Sequence, residues 1–132
     1  MTKPAILLLV EDDSLVREVL NEELIDAGFE VVLADDGDHA LMELNSHGGR
    51  FRAVVSDIRL GKGPDGWTVG RRARELVPHI AIIYISGDSG HDWVSKGVPN
   101  SLVLFKPFVP AQLITAIATL LNKAATHGKV GP

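Results

Sequence analysis

Cysteine is absent from this 132-residue sequence, which excludes disulfide bonds and thiolate metal sites and suits a reducing compartment. Long apolar runs are absent as well. The runs AILLLV at residues 5–10 and IAII at residues 80–83 are far too short to span a bilayer. The beginning of the chain also shows no cleavable leader pattern, because Lys3 and Pro4 lead directly into a core-like strand.

Basic residues do not predominate either: 13 Lys and Arg stand against 17 Asp and Glu, which gives a net charge of −4. This balance argues against nucleic acid as a main partner. A length of 132 residues with 45% hydrophobic and 23% charged residues is typical of one globular domain. We therefore expect a single cytoplasmic domain with no membrane partner and no direct nucleic-acid partner.

What the sequence does contain is an alternation of short apolar runs and helical patterns. Several of the runs are apolar at every position, as is typical of strands buried on both faces of a parallel sheet. The predicted strands are Ala5–Val10, Val31–Ala34, Ala53–Ser56, Ile80–Ile85 and Leu102–Phe105. The alternation predicts an α/β fold, a doubly wound five-stranded parallel sheet with helices on both faces.

Apolar residues at spacings of three and four predict the helices between these strands, including a last helix from near Pro110 to Leu121. Gly87–Asn100 is the exception. It is rich in glycine and leaves room for only a turn or two of helix. The chain after residue 121 lacks apolar periodicity, so we expect a domain over residues 5–121 and a frayed tail over residues 122–132.

Polar residues stand directly after the first, third, fourth and fifth predicted strands. They are Glu11, Asp12 and Asp13 after the first strand, Asp57 after the third, Ser86 after the fourth and Lys106 after the fifth. Open parallel sheets bind their ligands at the carboxyl ends of the strands, so these side chains are expected to meet in one crevice. Asp13 stands directly before Ser14 and the first helical turn, where an aspartate caps free N–H groups.

The chemistry of this set points to phosphoryl transfer. Crowded carboxylates repel one another unless a cation joins them, and oxygen ligands of this kind suit Mg²⁺. A carboxylate can act as a nucleophile toward phosphorus and form an aspartyl phosphate. An ammonium and a hydroxyl would contact the remaining phosphoryl oxygens, which is what phosphoryl transfer needs. The sequence therefore predicts a phospho-acceptor site.

Five segments carry a family resemblance: ILLLVEDDSLVREVL, VVSDIRL, DGW, YISG and LFKPF. In residue types and in order along the chain, these segments resemble those of the receiver domains of two-component response regulators, of the chemotaxis-regulator-like kind. The resemblance covers roughly residues 5–121. The resemblance implies a flavodoxin-like receiver fold with strand order 2-1-3-4-5.

The resemblance also implies a role for each site residue. Asp57 would be the phosphorylated residue, Ser86 the switch hydroxyl, and Lys106 the phosphate-binding lysine with a cis peptide bond to Pro107. The ligands of Mg²⁺ would be Asp12 directly, Glu11 through water, Asp57, and the backbone carbonyl of Arg59. The phosphoryl donor would be a histidine kinase or a phosphotransfer protein, whereas the downstream partner is unknown and homodimer formation stays open.

Three departures from the family pattern affect the expected readout. The loop after Asp57 has Gly61 where the family more often has proline, and it is one residue longer. Val103 takes the place of the family's aromatic switch residue, three positions before the lysine. The fourth helix, within Gly87–Asn100, is expected to be short or irregular. We therefore predict that phosphorylation reorganises Gly87–Asn100 rather than rotating an aromatic ring on the fifth strand.

Several alternatives accompany this interpretation. Either the chain is a stand-alone receiver, such as a phosphorelay shuttle, or it is a receiver excised from a hybrid histidine kinase or larger regulator. A Mg²⁺-dependent phosphohydrolase that forms an aspartyl phosphate is disfavoured, because Glu11-Asp12-Asp13 provides no Asp-x-Asp. A docking module without chemistry is disfavoured by the set of Asp57, Ser86 and Lys106. We expect a signalling phospho-acceptor rather than an enzyme.

Overall fold

A computed structural model describes residues 3–88 and 90–130, and within this part five parallel strands form one sheet in the order β2-β1-β3-β4-β5. The strands are β1 (Ile6–Val10), β2 (Glu30–Ala34), β3 (Phe51–Asp57), β4 (Ala81–Ser86) and β5 (Leu102–Phe105). The helices are α1 (Ser14–Asp26), α2 (Gly37–His47), α3 (Gly66–Leu76), α4 (Trp93–Lys96) and α5 (Pro110–Val130). The predicted fold class and strand order are confirmed.

The all-apolar runs are explained by a core on each side of the sheet. Leu8 and Val10 of β1 lie in the core under α2 and α3, whereas Leu7 and Leu9 lie in the core under α1 and α5. All four side chains are 0% exposed. Burying a side chain of this size contributes about 1.5–3 kcal/mol relative to leaving it in water, so both faces of the central strand stabilise the sheet.

Aspartate side chains cap the N-termini of α1, α2 and α3. Asp13 accepts hydrogen bonds from the N–H groups of Leu15 and Val16, which confirms the prediction that it caps α1. Asp36 caps α2 and Asp65 caps α3 in the same way. A cap of this kind contributes about 0.5–2 kcal/mol, and it fixes the residue at which each helix leaves the carboxyl edge of the sheet.

The fourth helix is short, as predicted: a 3₁₀ turn over Gly90–Asp92 leads into α4, which has only four residues. Side-chain hydrogen bonds hold the segment instead. The Trp93 indole Nε1 donates to Ser101 Oγ at 2.9 Å, and the Val98 N–H donates to the buried Tyr84 hydroxyl at 3.1 Å. The segment is therefore fixed to the sheet at its C-terminal end by two aromatic side chains.

The domain boundary at residue 121 and the fraying of residues 122–132 stay predictions. Helix α5 continues through this region to Val130. Residues 122–127 contain neither proline nor glycine, and extending a helix that is already anchored needs no apolar face of its own. Residues 131 and 132 lie outside the described residues. Among the described helices, none has both the length and the apolar character needed to cross a membrane.

Candidate functional site

Strand register brings the predicted site residues to one edge of the sheet. Val10 pairs with Ser56 across β1 and β3, so the residues that follow them, Glu11 and Asp57, stand side by side. On the other side of β3, Ser86 ends β4 and its carbonyl oxygen accepts the N–H of Lys106 at 2.8 Å. The carboxyl ends of β1, β3, β4 and β5 thus meet at the edge where open parallel sheets bind ligands.

Three carboxylates form a cluster at this edge. Glu11, Asp12 and Asp57 each offer a carboxylate oxygen, and these oxygens lie within 4.8 Å of one another. Glu11 is 2% exposed and Asp57 is 6% exposed, whereas Asp12 is exposed to solvent. Like charges this close repel one another, and the repulsion is weakly screened where two of the groups are buried.

Glu11 shows the electrostatic consequence. Burial raises the pKa of its carboxyl group to about 7, and the charge of Asp57 adds to this, while the Asp13 N–H and the Lys106 ammonium oppose it. The Asp13 N–H donates to Oε2 of Glu11 at 3.1 Å. Among the described residues, Oε1 of Glu11 is buried without a hydrogen-bond partner. Leaving such an atom unsatisfied costs free energy, and a bound cation would remove that cost.

The donor set therefore fits a divalent metal ion. Carboxylate oxygens are the ligands that hard cations prefer, and two buried groups beside one exposed group leave a side open to water. A cation at this point would give Oε1 of Glu11 a partner. It would also reduce the repulsion among the three carboxylates. The predicted acidic residues are thus brought together as a possible metal site.

Lys106 contacts two of the three carboxylates. Its ammonium Nζ donates to Oδ2 of Asp57 at 3.0 Å and lies 3.9 Å from Oε1 of Glu11. Burial alone would lower the pKa of Lys106, but the hydrogen bond to Asp57 and the surrounding carboxylates outweigh burial and raise it. The ammonium is therefore charged at neutral pH. The Lys106–Pro107 peptide bond is cis, as the resemblance implies.

A cleft of about 310 Å³ opens directly above Asp57. It is lined by Asp57, Ile58, Arg59, Ser86, Gly87, Asp88 and Lys106. At its mouth, Nε of Arg59 lies 3.0 Å from Oδ1 of Asp88, and both side chains are largely exposed, so the pair contributes at most about 1 kcal/mol. Asp57, Arg59, Ser86 and Lys106 thus line one cleft, and the carboxylates of Glu11 and Asp12 cluster with that of Asp57. The metal-binding role of the Arg59 carbonyl stays a prediction.

Gly66 is a site residue whose role the sequence does not reveal. Its N–H donates to the carbonyl oxygen of Ile58 at 2.8 Å, and a Cβ atom at this position would lie 2.3 Å from the carbonyl oxygen of Asp57. Only glycine therefore allows the first residue of α3 to approach the end of β3 so closely. The DGW segment includes this glycine, but its contact with the Asp57 carbonyl oxygen can be recognised only from the structure.

Comparisons with known proteins identify a family and a fold that this chain matches. The family model of the response regulator receiver domain matches residues 7–118. The response regulator receiver protein CpdR of Brucella abortus (strain 2308) is 32% identical over 120 residues, which cover 89% of this chain and 98% of that protein. A response regulator receiver protein from Sinorhizobium medicae WSM419 has a crystal structure that matches with a TM-score of 0.89 at 43% identity, covering 92% of this chain and 98% of that one.

Other relatives are longer proteins. The sensor kinase CckA of Brucella abortus (strain 2308) is 34% identical over 122 residues, which cover 90% of this chain and 13% of that kinase. The chain spans about half the length of several other curated relatives that it matches. The matched residues 7–118 nevertheless include every residue of the carboxylate and lysine cluster. The chain therefore belongs to the response regulator receiver domain family.

Proposed function

We propose that the protein is a phospho-accepting receiver that takes a phosphoryl group on Asp57 from a histidine kinase or a phosphotransfer protein. One observation carries the proposal: the buried Asp57 carboxylate accepts a hydrogen bond from the Lys106 ammonium, clusters with the carboxylates of Glu11 and Asp12, and lines an open cleft. Phosphoryl transfer to a carboxylate needs a nucleophile, a fixed positive charge and a cation site.

The proposed step is a displacement at phosphorus. A carboxylate oxygen of Asp57 forms the new P–O bond while the bond from phosphorus to the donor imidazole nitrogen breaks, and the electron pair leaves with that nitrogen. Lys106 would hold one phosphoryl oxygen and the Ser86 hydroxyl would donate to another. Mg²⁺, held by Asp12, by Glu11 through water, by Asp57 and by the Arg59 carbonyl, would neutralise phosphoryl charge.

This proposal makes the protein a signalling switch rather than an enzyme with a turnover of its own. We place it in the cytoplasm, in agreement with its lack of cysteine. Its partner surface is proposed to include the exposed apolar residues Val94 on α4, Phe105 on β5 and Val109 just before α5. These side chains are 89%, 55% and 59% exposed, and a partner protein or a second copy of the domain would cover them.

Mass spectrometry after incubation with a small-molecule phosphodonor, with and without Mg²⁺, tests the proposal. The expected result is one phosphoryl adduct that forms only with Mg²⁺ and maps to the peptide containing Asp57. Steady turnover of phosphoesters would instead identify a phosphohydrolase. The lack of an adduct, both here and with a phosphorylated histidine kinase as the donor, would identify a docking module and contradict the proposal.

The carboxylates of the metal site are expected to differ in their effect on Mg²⁺ affinity. Asp12→Asn should weaken binding most, by at least about tenfold, because even outer partners of a metal typically change affinity 10–100-fold. Glu11→Gln should weaken it less, because its contact is through water. Asp13→Asn is the matched control: asparagine caps a helix as well as aspartate does, so calorimetric Mg²⁺ titration should give wild-type affinity. Equal losses at residues 12 and 13 would contradict the assignment.

The segment Gly87–Asn100 is expected to change its hydrogen-exchange protection on phosphorylation. Within it, the Gly97 N–H donates to the Trp93 carbonyl in α4, and a helix of four residues opens at little cost. Exchange measured with and without a phosphate mimic should change most in α4, whereas the core strand β1 serves as the internal control. Unchanged protection across the segment would mean that the switch lies elsewhere.

A further inference from the structure

Arg17 makes a contact with the metal-site segment that the proposed function does not yet use. It lies in the first turn of α1 and is half-buried. Its guanidinium Nη1 donates to the carbonyl oxygen of Glu11 at 2.7 Å, a charge-assisted hydrogen bond. Helical side chains point back toward the N-terminus of their helix, so Arg17 reaches over the cap residue Asp13 to the end of β1.

This contact completes the backbone hydrogen bonding of Glu11. The Glu11 N–H donates to the carbonyl oxygen of Ala34 at 3.1 Å, and Ala34 is the last residue of β2. Because the neighbouring strand ends there, Arg17 supplies the donor for the Glu11 carbonyl group. Oε2 of the Glu11 side chain accepts from the Asp13 N–H. The backbone N–H, the backbone carbonyl and one side-chain oxygen of Glu11 are therefore held by hydrogen bonds.

The Glu11 carbonyl belongs to the peptide group that leads into Asp12. Asp12 is exposed, so packing does not hold its side chain, and the direction of its carboxylate depends on the backbone that carries it. A metal site functions when its ligands are held within about 0.5 Å of the required geometry. Fixing the peptide between residues 11 and 12 therefore fixes how the Asp12 carboxylate faces Asp57.

We propose that Arg17 is a positioning residue for the cation site: by fixing the Glu11–Asp12 peptide, it holds the Asp12 carboxylate beside Asp57. The inference rests on the proposed function, whose metal site it deepens. In this role Arg17 acts by fixing the position of a peptide group.

Arg74 offers a matched control within the same chain. Its Nε donates to the carbonyl oxygen of Ile80 at 3.2 Å, and its Nη1 donates to the carbonyl oxygen of Pro99. Ile80 directly precedes β4, so this arginine bonds to backbone at the opposite edge of the sheet. Removing either guanidinium deletes hydrogen bonds to carbonyl groups, but only Arg17 bonds to the segment that carries the acidic residues.

The test compares Mg²⁺ affinity, measured by calorimetry, with thermal unfolding of the metal-free protein for Arg17→Met, Arg17→Lys and Arg74→Met. Arg17→Met should weaken Mg²⁺ binding about tenfold or more, the range typical of a lost outer partner of a metal ligand. Arg17→Lys keeps the charge but not the planar donor fork, so its affinity should fall between Arg17→Met and wild type. Arg74→Met should lower the unfolding temperature and leave Mg²⁺ affinity unchanged.

Two outcomes separate this inference from the proposed function. If the wild-type protein binds Mg²⁺ and takes up a phosphoryl group but Arg17→Met has wild-type affinity, Arg17 only stabilises the fold and the inference is overturned alone. If the wild-type protein binds no Mg²⁺, the proposed function fails and the inference fails with it. Should Arg17→Met not fold, Arg17→Lys decides by the same criterion: wild-type affinity in that variant overturns the inference.

Discussion

Asp57→Asn is expected to abolish phosphorylation completely while the domain stays folded. An amide has nearly the shape of a carboxylate but is not a nucleophile toward phosphorus, so the step that forms the acyl phosphate is lost. The substitution also removes one of the three clustered negative charges, which lowers the repulsion on Glu11 and Asp12. After incubation with a phosphodonor and Mg²⁺, the variant should therefore show only its unmodified mass.

Asp65→Asn is the control for this result. It makes the same chemical change at an aspartate that caps α3, where the side chain accepts the Thr68 N–H at 2.9 Å, and asparagine serves equally well as a cap. The control should form the adduct at the wild-type rate. An adduct that persists in Asp57→Asn and maps to Glu11 or Asp12 would show that a different carboxylate is the acceptor.

The sequence predicts the architecture well because the signals for a parallel sheet are local. Continuous apolar runs such as that of β1 are buried on both faces, and this requires helices on both sides. Strand order then determines the site, because β1 lies between β2 and β3 and its end stands beside Asp57. That the residues directly following the strands meet at one edge can be predicted from a parallel sheet, whereas the spatial order of the strands is implied by the family resemblance.

The contacts that the sequence does not reveal are those between side chains and distant backbone. The need for glycine at residue 66 depends on the Asp57 carbonyl oxygen, which is nine residues away along the chain but would lie 2.3 Å from a Cβ atom. The Tyr84 hydroxyl accepts the Val98 N–H across a separation of 14 residues. Neither contact leaves a periodic pattern, since each depends on how two elements are oriented after they pack.

The boundaries of the last helix illustrate a different limit. Apolar periodicity marks where α5 faces the core, and this face ends near Leu121. The backbone continues as a helix to Val130, because each added residue gains a hydrogen bond on an existing helix. Periodicity thus predicts the part of a helix that packs, whereas its end depends on the next residue that breaks it.

Lys106→Met is expected to slow phosphorylation about 10²–10³-fold without weakening the binding of Mg²⁺. The ammonium lies 3.0 Å from Oδ2 of Asp57, where it would meet a phosphoryl oxygen as charge develops there. Removing one fixed donor of this kind from a transition state typically costs 10²–10³-fold in rate. The same ammonium offsets the negative charge that attracts a cation, so its loss should leave Mg²⁺ affinity equal to or above that of wild type.

Two controls separate this role from a general effect of charge. Lys96→Met removes an exposed lysine of α4 that pairs with Asp92 at 3.6 Å, and it should leave the phosphorylation rate unchanged. Lys106→Arg retains the charge on a longer and planar group, so it should recover part of the rate. Rates are compared as initial adduct formation at saturating Mg²⁺. A Lys106→Met rate within about threefold of wild type would contradict the prediction. Such a result would mean that Lys106 only neutralises the carboxylates, a role that the bound cation takes over.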